Sequence, residues 1–412
     1  MSLEILYLHQ HFTTPDGAGG TRSWALGRAL ATRGHRVTIA CGMAEDADAG
    51  LDGAFAYGRR EGQVGPLRVV QFAIAYANAM GLAARSAAFL RFAARATPLA
   101  VGGGFDTIIA SSTPPTVALP ALAALRLRGV PFVFEIRDPW PELLLAMKAI
   151  RPGLASRALS ALSGVACRAA ASVVALSDGA AESARAHGAT SVAVIPNGCD
   201  LDLFSPQVTR WRPEAAAPWE ALFVYAGAHG KANGLDQLLD AAAILKARGE
   251  HRVRLLLVGE GAERRRLIVQ ASERHLTNVT FLDAMPKRSL AALLAGAQGG
   301  LLCLAPVPEF AEGTSPNKLM DLLAAGLPVV SNVPGRAARW LREGGAGITA
   351  PDPAAMADAM ASLAAAPARR AAMGRAARAL AVHRFDRNRL AAMFCDLVEG
   401  AARPRRDMAV AA

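Results

Sequence analysis

Short apolar runs alternate with longer helix-forming segments along almost the whole chain. Leu3–Leu8 opens the series, and Val253–Val258 is a later member. Runs of this length are typical of strands buried on both faces, and their alternation with helices predicts parallel sheets in a doubly wound α/β fold. Because the chain has 412 residues, more than one hydrophobic core usually contains, we expect two such domains.

Charge and cysteine content narrow the classes of function. The formal net charge of +11 favours an anionic partner. Aromatic residues make up only 6% and no recognition helix is evident, so nucleic acid is not an expected partner. The five cysteines form no CxxC or Cys/His cluster, which argues against a zinc site and a disulfide framework.

The N-terminal segment MSLEILYLHQHF has no basic leader, and no window of the chain has the apolar character of a membrane span. We therefore expect a cytoplasmic protein, either soluble or bound peripherally to the inner face of the cell membrane.

The stretch GTSPNKLMDLLAAGLPVV, residues 313–330, combines an anion-binding element with two charged side chains. A loop opens a helix predicted over Asn317–Ala325, and free N–H groups at a helix start attract anions. Lys318 adds a positive charge in the first turn, and Asp321 lies three residues later on the same face. This set suits a ligand with both phosphates and hydroxyls. The alternative is an ordinary helix whose Lys318 and Asp321 form a solvated surface pair.

This stretch resembles the signature helix of retaining glycosyltransferase family 4, and more narrowly the bacterial O-antigen and capsule branch, which has S-P-N-K-L at this place. Further matches occur in order along the chain: GGTR, RDPWPE, PNGCD, YAGAHG and VGEG. The resemblance implies the α/β GT-B fold, in which two Rossmann-like doubly wound domains face each other across a cleft.

The resemblance also implies the domain boundaries. Residues 1–204 would form the acceptor-side domain and residues 205–384 the nucleotide-sugar-binding domain, with the proline-containing segment 205–219 as the linker. Residues 385–412 would form a C-terminal helix that crosses back to the first domain, ending in a frayed tail after Arg403.

The implied activity is transfer of a sugar, with retention, from a nucleotide diphosphate sugar to a lipid-linked or saccharide acceptor in cell-surface polysaccharide biosynthesis. The branch suggests a uridine diphosphate N-acetyl sugar as donor. Helix ends and a lysine can stabilise the diphosphate leaving group. Since these groups can do so without a metal, neither a metal nor another cofactor is expected. Two alternatives stay open: another GT-B enzyme such as a nucleotide-sugar epimerase, and a non-catalytic subunit that binds a nucleotide sugar or a membrane.

The resemblance assigns most donor contacts to strand-to-helix loops and to the central helix. In the first loop of the second half, Ala228 replaces the family's phosphate-binding Arg and Asn233 replaces its Lys, so His229 and Lys231 are candidate replacements. The implied donor-binding residues are Gly19, Gly20, Gly227, His229, Gly230, Lys231, Gly259, Ser315, Pro316, Asn317, Lys318, Leu319 and Asp321.

The family's two-glutamate motif is incomplete in this chain. Asp321 falls on the second position, which accepts from the ribose hydroxyls in the family, while the first position falls on Gly313. Glu312 is one residue away, and its role stays open.

A strand predicted over residues 131–136 ends in Arg137 and Asp138, where the family often has His-Asp. Strand ends collect catalytic groups in open α/β sheets. An Arg cannot act as a base, but it can hold an anion or orient an acid. The catalytic candidates are Asp138, Arg137, Lys318 and Asp321, and the acceptor-side candidates are Gly17, Arg22 and Asn197. A structural Arg–Asp pair and an exposed first-turn Arg22 are the alternatives.

Residues 57–95 contain six arginines and one acid, Glu61, interleaved with apolar residues. We predict a basic, apolar helix that lies on an anionic membrane surface. The alternative is an ordinary domain helix with a solvated arginine face.

Overall fold

The computed structural model describes residues 2–45, 47–77 and 79–402, which divide into two compact units. The first unit takes in the described residues up to Pro196, Gly313–Ser315 and those from Asn388 onward. The second unit contains Asn197–Glu312 and Pro316–Arg387. The tail predicted to fray after Arg403 lies outside the described residues.

Eight strands form the sheet of the first unit. They are β1 (Glu4–Leu8), β2 (Arg36–Ala44), β3 (Arg59–Val64), β4 (Leu67–Tyr76), β5 (Thr107–Ser111), β6 (Phe132–Ile136), β7 (Ser172–Ala175) and β8 (Val192–Val194). Their order is β3-β4-β2-β1-β5-β6-β7-β8, and all neighbours are parallel except the antiparallel pair β3 and β4.

Six parallel strands form the sheet of the second unit. They are β9 (Ala221–Ala226), β10 (Val253–Val258), β11 (Val279–Leu282), β12 (Gly299–Leu302), β13 (Val329–Ser331) and β14 (Gly347–Thr349), in the order β11-β10-β9-β12-β13-β14. Two α/β units with Rossmann-like parallel sheets confirm the predicted fold class.

The described helices connect the strands and cover the sheets. They are α1 (Arg22–Thr32), α2 (Leu82–Gly102), α3 (Ala118–Arg128), α4 (Glu142–Ala146), α5 (Leu154–Ala169), α6 (Asp178–Ala186), α7 (Asp236–Ala247), α8 (Arg264–Glu273), α9 (Lys287–Gly296), α10 (Phe310–Gly313), α11 (Asn317–Ala324), α12 (Arg336–Glu343), α13 (Pro353–Ala365), α14 (Pro367–Phe385) and α15 (Arg387–Ala402). No described helix is both long and apolar enough to cross a membrane.

Strand β1 shows how the core of the first unit is built. Its side chains alternate between the two faces of the sheet. Leu6 and Leu8 pack into a cluster with the helices α2, α3, α5 and α6, while Ile5 and Tyr7 pack into a cluster with α1 and α15. All four side chains have no exposed surface. A continuous apolar run was therefore the right signal for a strand covered on both sides.

The helix predicted within residues 57–95 is wrong for the first half of that segment. Residues 59–76 form the antiparallel hairpin of β3 and β4, and only α2, which starts at Leu82, is helical. The turn at Gly65 has φ +54, a left-handed value that glycine adopts readily.

The segment 205–219, predicted as a linker, is held within the second unit by several hydrogen bonds, most of them from Arg212. Arg212 donates hydrogen bonds to the carbonyl oxygens of Gly296, Ala217 and Glu220, and to the side chain of Gln298. These bonds fasten the proline-containing segment to the region around β9 and β12.

In each sheet, the strand order reverses at one central strand, so that successive strands are added on opposite sides of it. In the first unit β1 lies between β2 and β5, and in the second unit β9 lies between β10 and β12. In open α/β sheets, ligands bind outside the carboxyl ends of strands at such points. The loops after β1 and β9 are therefore the first places to look for function.

Candidate active site

Lys318 lies in the first turn of α11 and is partly buried in the second unit. Its Nζ donates to Tyr225 Oη at 2.7 Å and to Asn233 Oδ1 at 2.6 Å, and lies 4.4 Å from the centre of the Tyr225 ring. Within the described part of the chain, Lys318 has no carboxylate partner. Burial lowers the pKa of its ammonium to about 7. The site thus holds a cation that only neutral groups solvate.

Asp321 does not form the surface pair with Lys318 that their spacing allowed. Its Oδ2 accepts from Lys287 Nζ at 2.6 Å, and both side chains are largely buried. Lys287 also lies 5.6 Å from the centre of the Phe204 ring. The two charged residues of α11 therefore have separate partners, because one turn of helix places them against different neighbouring elements.

His229 is fully buried, although it lies in the loop that follows β9. Its ring lies about 6 Å from the rings of Tyr225 and Phe281. Neither ring nitrogen has a hydrogen-bond partner among the described residues. Burial, with help from the nearby charges of Arg264 and Lys318, lowers its pKa to about 4, so the imidazole is neutral at pH 7. A buried polar group without a partner costs free energy that a ligand can recover.

The loops after β9 and β10 approach each other so closely that only glycine fits. Gly259 has φ +140, and a Cβ there would lie 2.1 Å from the Gly227 carbonyl oxygen. Gly261 has φ +150, and a Cβ there would lie 2.5 Å from the His229 carbonyl oxygen. Gly227 lies against Lys318, whose Cε would be 3.1 Å from its Cβ. The glycines therefore bring two strand ends and the lysine into one place.

Lys231 is exposed and opens a short 3-10 turn, so it is not gathered with the buried groups around Lys318. Gly230 precedes that turn in an extended conformation. Asn233, which stands at the family's lysine position, instead accepts the hydrogen bond from Lys318.

In the first unit, Arg137, His9 and Ser23 form a chain of hydrogen bonds. Arg137 lies 2.7 Å from His9 Nε2, and His9 Nδ1 lies 2.8 Å from Ser23 Oγ. Since a guanidinium can only donate, Nε2 accepts and Nδ1 carries the proton. Burial and the charge of Arg137 lower the pKa of His9 well below its usual value, in agreement with this neutral tautomer.

Arg22 is buried, so the alternative of an exposed first-turn arginine is wrong. It pairs with Glu135 at 2.9 Å and donates to the carbonyl oxygens of Ile195 and Pro196. Burial opposes ionisation of Glu135, yet Arg22, Arg137 and Ser111 together hold its pKa below the usual value. All three nitrogens of Arg22 therefore make hydrogen bonds inside the fold.

Asp138 follows Arg137 at the end of β6 and lines a small pocket with Ser112, Trp140 and Ser163. Burial raises the pKa of its carboxyl group, although the charge of Arg137 acts in the opposite direction. Desolvation makes a carboxylate a stronger hydrogen-bond acceptor and a stronger base, so this group is suited to hold the hydroxyl of a ligand.

The remaining candidates occupy loops and element ends. Gly17, Gly19 and Gly20 lie in the loop between β1 and α1, and Ser315 is buried in the first unit. In the second unit Asn197 is buried, Pro316 immediately precedes α11, and Asn317 and Leu319 lie in its first turn. Glu312 forms a two-pronged pair with Arg339 at 2.7 and 2.8 Å.

Four residues of these clusters escaped the sequence analysis: His9, Gln10, Tyr225 and Lys287. His9 and Gln10 directly follow β1, and Tyr225 is the penultimate residue of β9. The rule that strand ends collect functional groups could have found these three. Nothing in the sequence around Lys287 indicates its pairing with Asp321.

Within the described residues, no group of three or more His, Cys, Asp or Glu side chains is arranged to hold a metal ion.

Two models of glycosyltransferase families match parts of the chain. Residues 17–198 match the "Glycosyl transferase 4-like domain", and residues 220–366 match "Glycosyl transferases group 1". No curated protein sequence matches the chain at a significant level.

Solved structures match over nearly the whole chain. Sucrose-phosphate synthase from Thermosynechococcus elongatus has a TM-score of 0.76 at 19% identity, covering 97% of this chain and 98% of its own. WaaG, a glycosyltransferase involved in lipopolysaccharide biosynthesis, has a TM-score of 0.67 at 16% identity, covering 96% of this chain and 100% of its own. HepE from Anabaena, in complex with UDP and glucose, has a TM-score of 0.66 at 18% identity, covering 96% of this chain and 99% of its own.

Fold and domain matches together define the class of this protein as a glycosyltransferase of the GT-B fold. Within that class, residues 17–198 are similar to the glycosyl transferase 4-like domain and residues 220–366 to glycosyl transferases group 1.

Proposed function

We propose that this protein is a retaining, metal-independent glycosyltransferase that uses a nucleotide diphosphate sugar, with a uridine diphosphate N-acetyl sugar as the first candidate. Its acceptor is a lipid-linked or saccharide molecule in bacterial cell-surface polysaccharide biosynthesis. The observation that carries the proposal is the Lys318 ammonium, which neutral groups hold at the start of α11 without a carboxylate partner among the described residues.

A diphosphate ligand would supply the negatively charged partner that Lys318 lacks among the described residues. The start of α11 presents backbone N–H groups and the positive end of the helix dipole, and Lys318 adds a positive charge in its ammonium form, which a bound anion favours. Groups arranged in advance around a developing negative charge lower the barrier to leaving-group departure. We assign the donor diphosphate to this helix start, with Ser315, Pro316, Asn317 and Leu319 beside it.

The close glycine loops extend the proposed donor site. Gly227 and Gly259 allow a backbone approach that side chains would block, and His229 offers ring nitrogens that have no partner among the described residues. In the proposal His229 hydrogen-bonds the donor as a neutral imidazole. Gly230 and Lys231 belong to the same loop as His229. Gly19 and Gly20, in the loop between β1 and α1, are the remaining proposed donor-binding residues.

Asp321 would accept hydrogen bonds from the ribose hydroxyls, as the second position of the family motif implies. Lys287 donates to its Oδ2 and fixes the position of the carboxylate. The other oxygen is then the acceptor for the nucleotide. Lys287 is thus a positioning residue for Asp321.

The proposed reaction needs no strong protein base. The acceptor hydroxyl attacks the anomeric carbon on the same face from which the leaving group departs. The bond between that carbon and the phosphate oxygen breaks, and the hydroxyl proton passes to the leaving phosphate. Asp138 hydrogen-bonds the acceptor hydroxyl, which suits its raised pKa. Gly17 and Asn197 are proposed acceptor-side residues.

Peripheral membrane binding is part of the proposal, and the basic surface is larger than residues 57–95. The helices α2, α3 and α5 contain no Asp or Glu but seven arginines, and they expose large apolar side chains. The exposed apolar residues on these helices are Leu82, Leu90, Leu119, Leu127, Leu154 and Val165. Basic and apolar side chains together suit an anionic bilayer surface. Flotation with vesicles containing anionic phosphatidylglycerol should recover the wild type, and Arg91→Glu with Arg95→Glu should reduce recovery; equal recovery would refute this part.

A thermal-shift panel of UDP, GDP, ADP and TDP sugars tests the donor assignment. A ligand that binds only the folded state raises its melting temperature. We expect a shift with one base class, abolished in Lys318→Ala and Asp321→Ala. No shift with any nucleotide would refute the transferase proposal.

The metal-independent chemistry has a separate test. Once a donor is identified, turnover should be the same with magnesium and with excess chelator. A rate that needs magnesium and disappears with chelator would refute this part of the proposal.

A further inference from the structure

Arg137 lies at the carboxyl end of β6, half-buried, and its interactions are unusual for an arginine in that position. Its one side-chain acceptor among the described residues is the neutral Nε2 of His9, at 2.7 Å. The nearby buried carboxylate, Glu135, is paired with Arg22 instead. The positive charge of Arg137 therefore has no short ion pair within the described residues.

His9 fixes the position of this guanidinium. The imidazole is held in turn by Ser23 Oγ at 2.8 Å, and both His9 and Ser23 are 1% exposed. The backbone N–H of Arg137 also donates to Ser112 Oγ at 3.2 Å. The ends of β1, β5 and β6 and the first turn of α1 thus hold Arg137 before any ligand arrives. A guanidinium that is fixed and not neutralised is suited to bind an anion through two parallel hydrogen bonds.

A second observation concerns the end of β1. Gln10, directly after His9, is 2% exposed, and neither its Oε1 nor its Nε2 has a partner among the described residues. An unsatisfied buried amide is unfavourable, and a polar ligand at the carboxyl ends of the strands would satisfy it.

We infer that Arg137, positioned by His9, binds a phosphoryl group of the acceptor substrate. A phosphoryl group is favoured over a carboxylate because α1, an 11-residue helix, begins beside Ser23 and its positive end favours a more highly charged anion. The inference rests on the proposed function only in assigning this anion to the acceptor. Its source is either a lipid-linked diphosphate or a soluble sugar phosphate.

The test is calorimetric titration of inorganic pyrophosphate into the full chain and into Arg137→Gln, each also carrying Lys318→Met so that the proposed donor site does not contribute. Loss of charge-assisted hydrogen bonds should weaken binding about 10- to 100-fold. The pyrophosphate affinity of Arg137→Lys, which keeps the positive charge but loses the paired N–H donors of the guanidinium, should lie between the affinities of the parent and of Arg137→Gln. Arg185→Gln, at an exposed position on α6, is the matched control and should bind as the parent does.

Equal pyrophosphate affinity in the parent and Arg137→Gln would overturn the inference. Further titrations with geranyl diphosphate and glucose 6-phosphate distinguish the sources, since the tighter ligand that depends on Arg137 identifies the acceptor's phosphate. Tighter binding of glucuronate than of pyrophosphate would overturn the phosphoryl assignment. If the wild type binds no nucleotide but keeps Arg137-dependent pyrophosphate binding, the proposed function fails and the anion site stands.

Discussion

Lys287 Nζ lies 2.6 Å from Asp321 Oδ2, so the carboxylate of α11 is paired with the start of α9 and not with the lysine one turn earlier. Both side chains are largely buried, with relative exposures of 12% and 7%. This separation leaves Lys318 without a carboxylate partner among the described residues and gives the helix one fixed anion and one unneutralised cation.

Breaking the Lys287–Asp321 pair from one side should be costly. Asp321→Asn leaves a buried ammonium uncompensated, and the loss of one partner of a buried pair costs about 3 to 5 kcal/mol. The double variant Lys287→Met with Asp321→Leu should recover much of this stability, because neither charge is then buried. Urea unfolding of the wild type, Asp321→Asn and the double variant measures both differences in stability. Stability of Asp321→Asn equal to that of the wild type would show that the pair has no structural role.

Donor binding should depend on pH through Lys318. Its pKa is about 7 in the free protein, and a bound diphosphate stabilises the ammonium, so binding takes up a proton above that pH. Affinity for a UDP sugar should therefore fall by up to about tenfold per pH unit above pH 7. Titration calorimetry at several pH values measures the slope. Lys318→Arg, which stays charged, should remove it; the same slope in both proteins would contradict this assignment.

Lys318 should also make folding stability depend on pH, in the opposite direction to its effect on donor affinity. Between about pH 7 and its unfolded value of 10.5, the unfolded chain binds more protons at this side chain than the folded chain does. Lys318 therefore contributes stability that rises with pH across this range. The difference in unfolding free energy between wild type and Lys318→Met should follow that trend.

Gly259→Ala should damage the second unit. Its φ of +140 is unfavourable for alanine, and the added Cβ would lie 2.1 Å from the Gly227 carbonyl oxygen. Backbone strain of this kind costs about 1 to 3 kcal/mol, and the displaced loop should also weaken nucleotide binding. Gly81→Ala is the control, since Gly81 has φ −64 and an added Cβ there meets nothing within 4 Å. Equal melting temperatures for the two variants would refute the close-approach argument.

Local sequence signals predicted much of the fold. Ser177, a typical helix-capping residue, caps α6 by accepting from the Ala180 N–H. Helix α11 was expected over Asn317–Ala325 and ends one residue earlier. These elements depend on periodicity and capping within a few residues, which a sequence shows directly.

The hairpin of β3 and β4 was missed because arginines and glycines interrupt its alternating pattern. Its stability comes from pairing with β2, which no local pattern reveals.

The contacts that define the candidate site depend on distant residues. Lys287 and Asp321 are 34 positions apart, and His9 and Arg137 are 128 apart. Helical spacing placed Lys318 and Asp321 on one face, but the elements packed against that face decided their partners. The burial of His229 likewise follows from the approach of the loop after β10, which sequence spacing does not show.

The most direct test of the central claim is calorimetric titration of UDP into the wild type and into Lys318→Met at pH 7. We expect one site in the wild type and at least a tenfold loss of affinity in Lys318→Met, in line with the loss of a charge-assisted contact of about 1.5 to 3 kcal/mol. Lys246→Met, at an exposed position on α7, should bind as the wild type does. Equal affinity in Lys318→Met and the wild type would contradict the account.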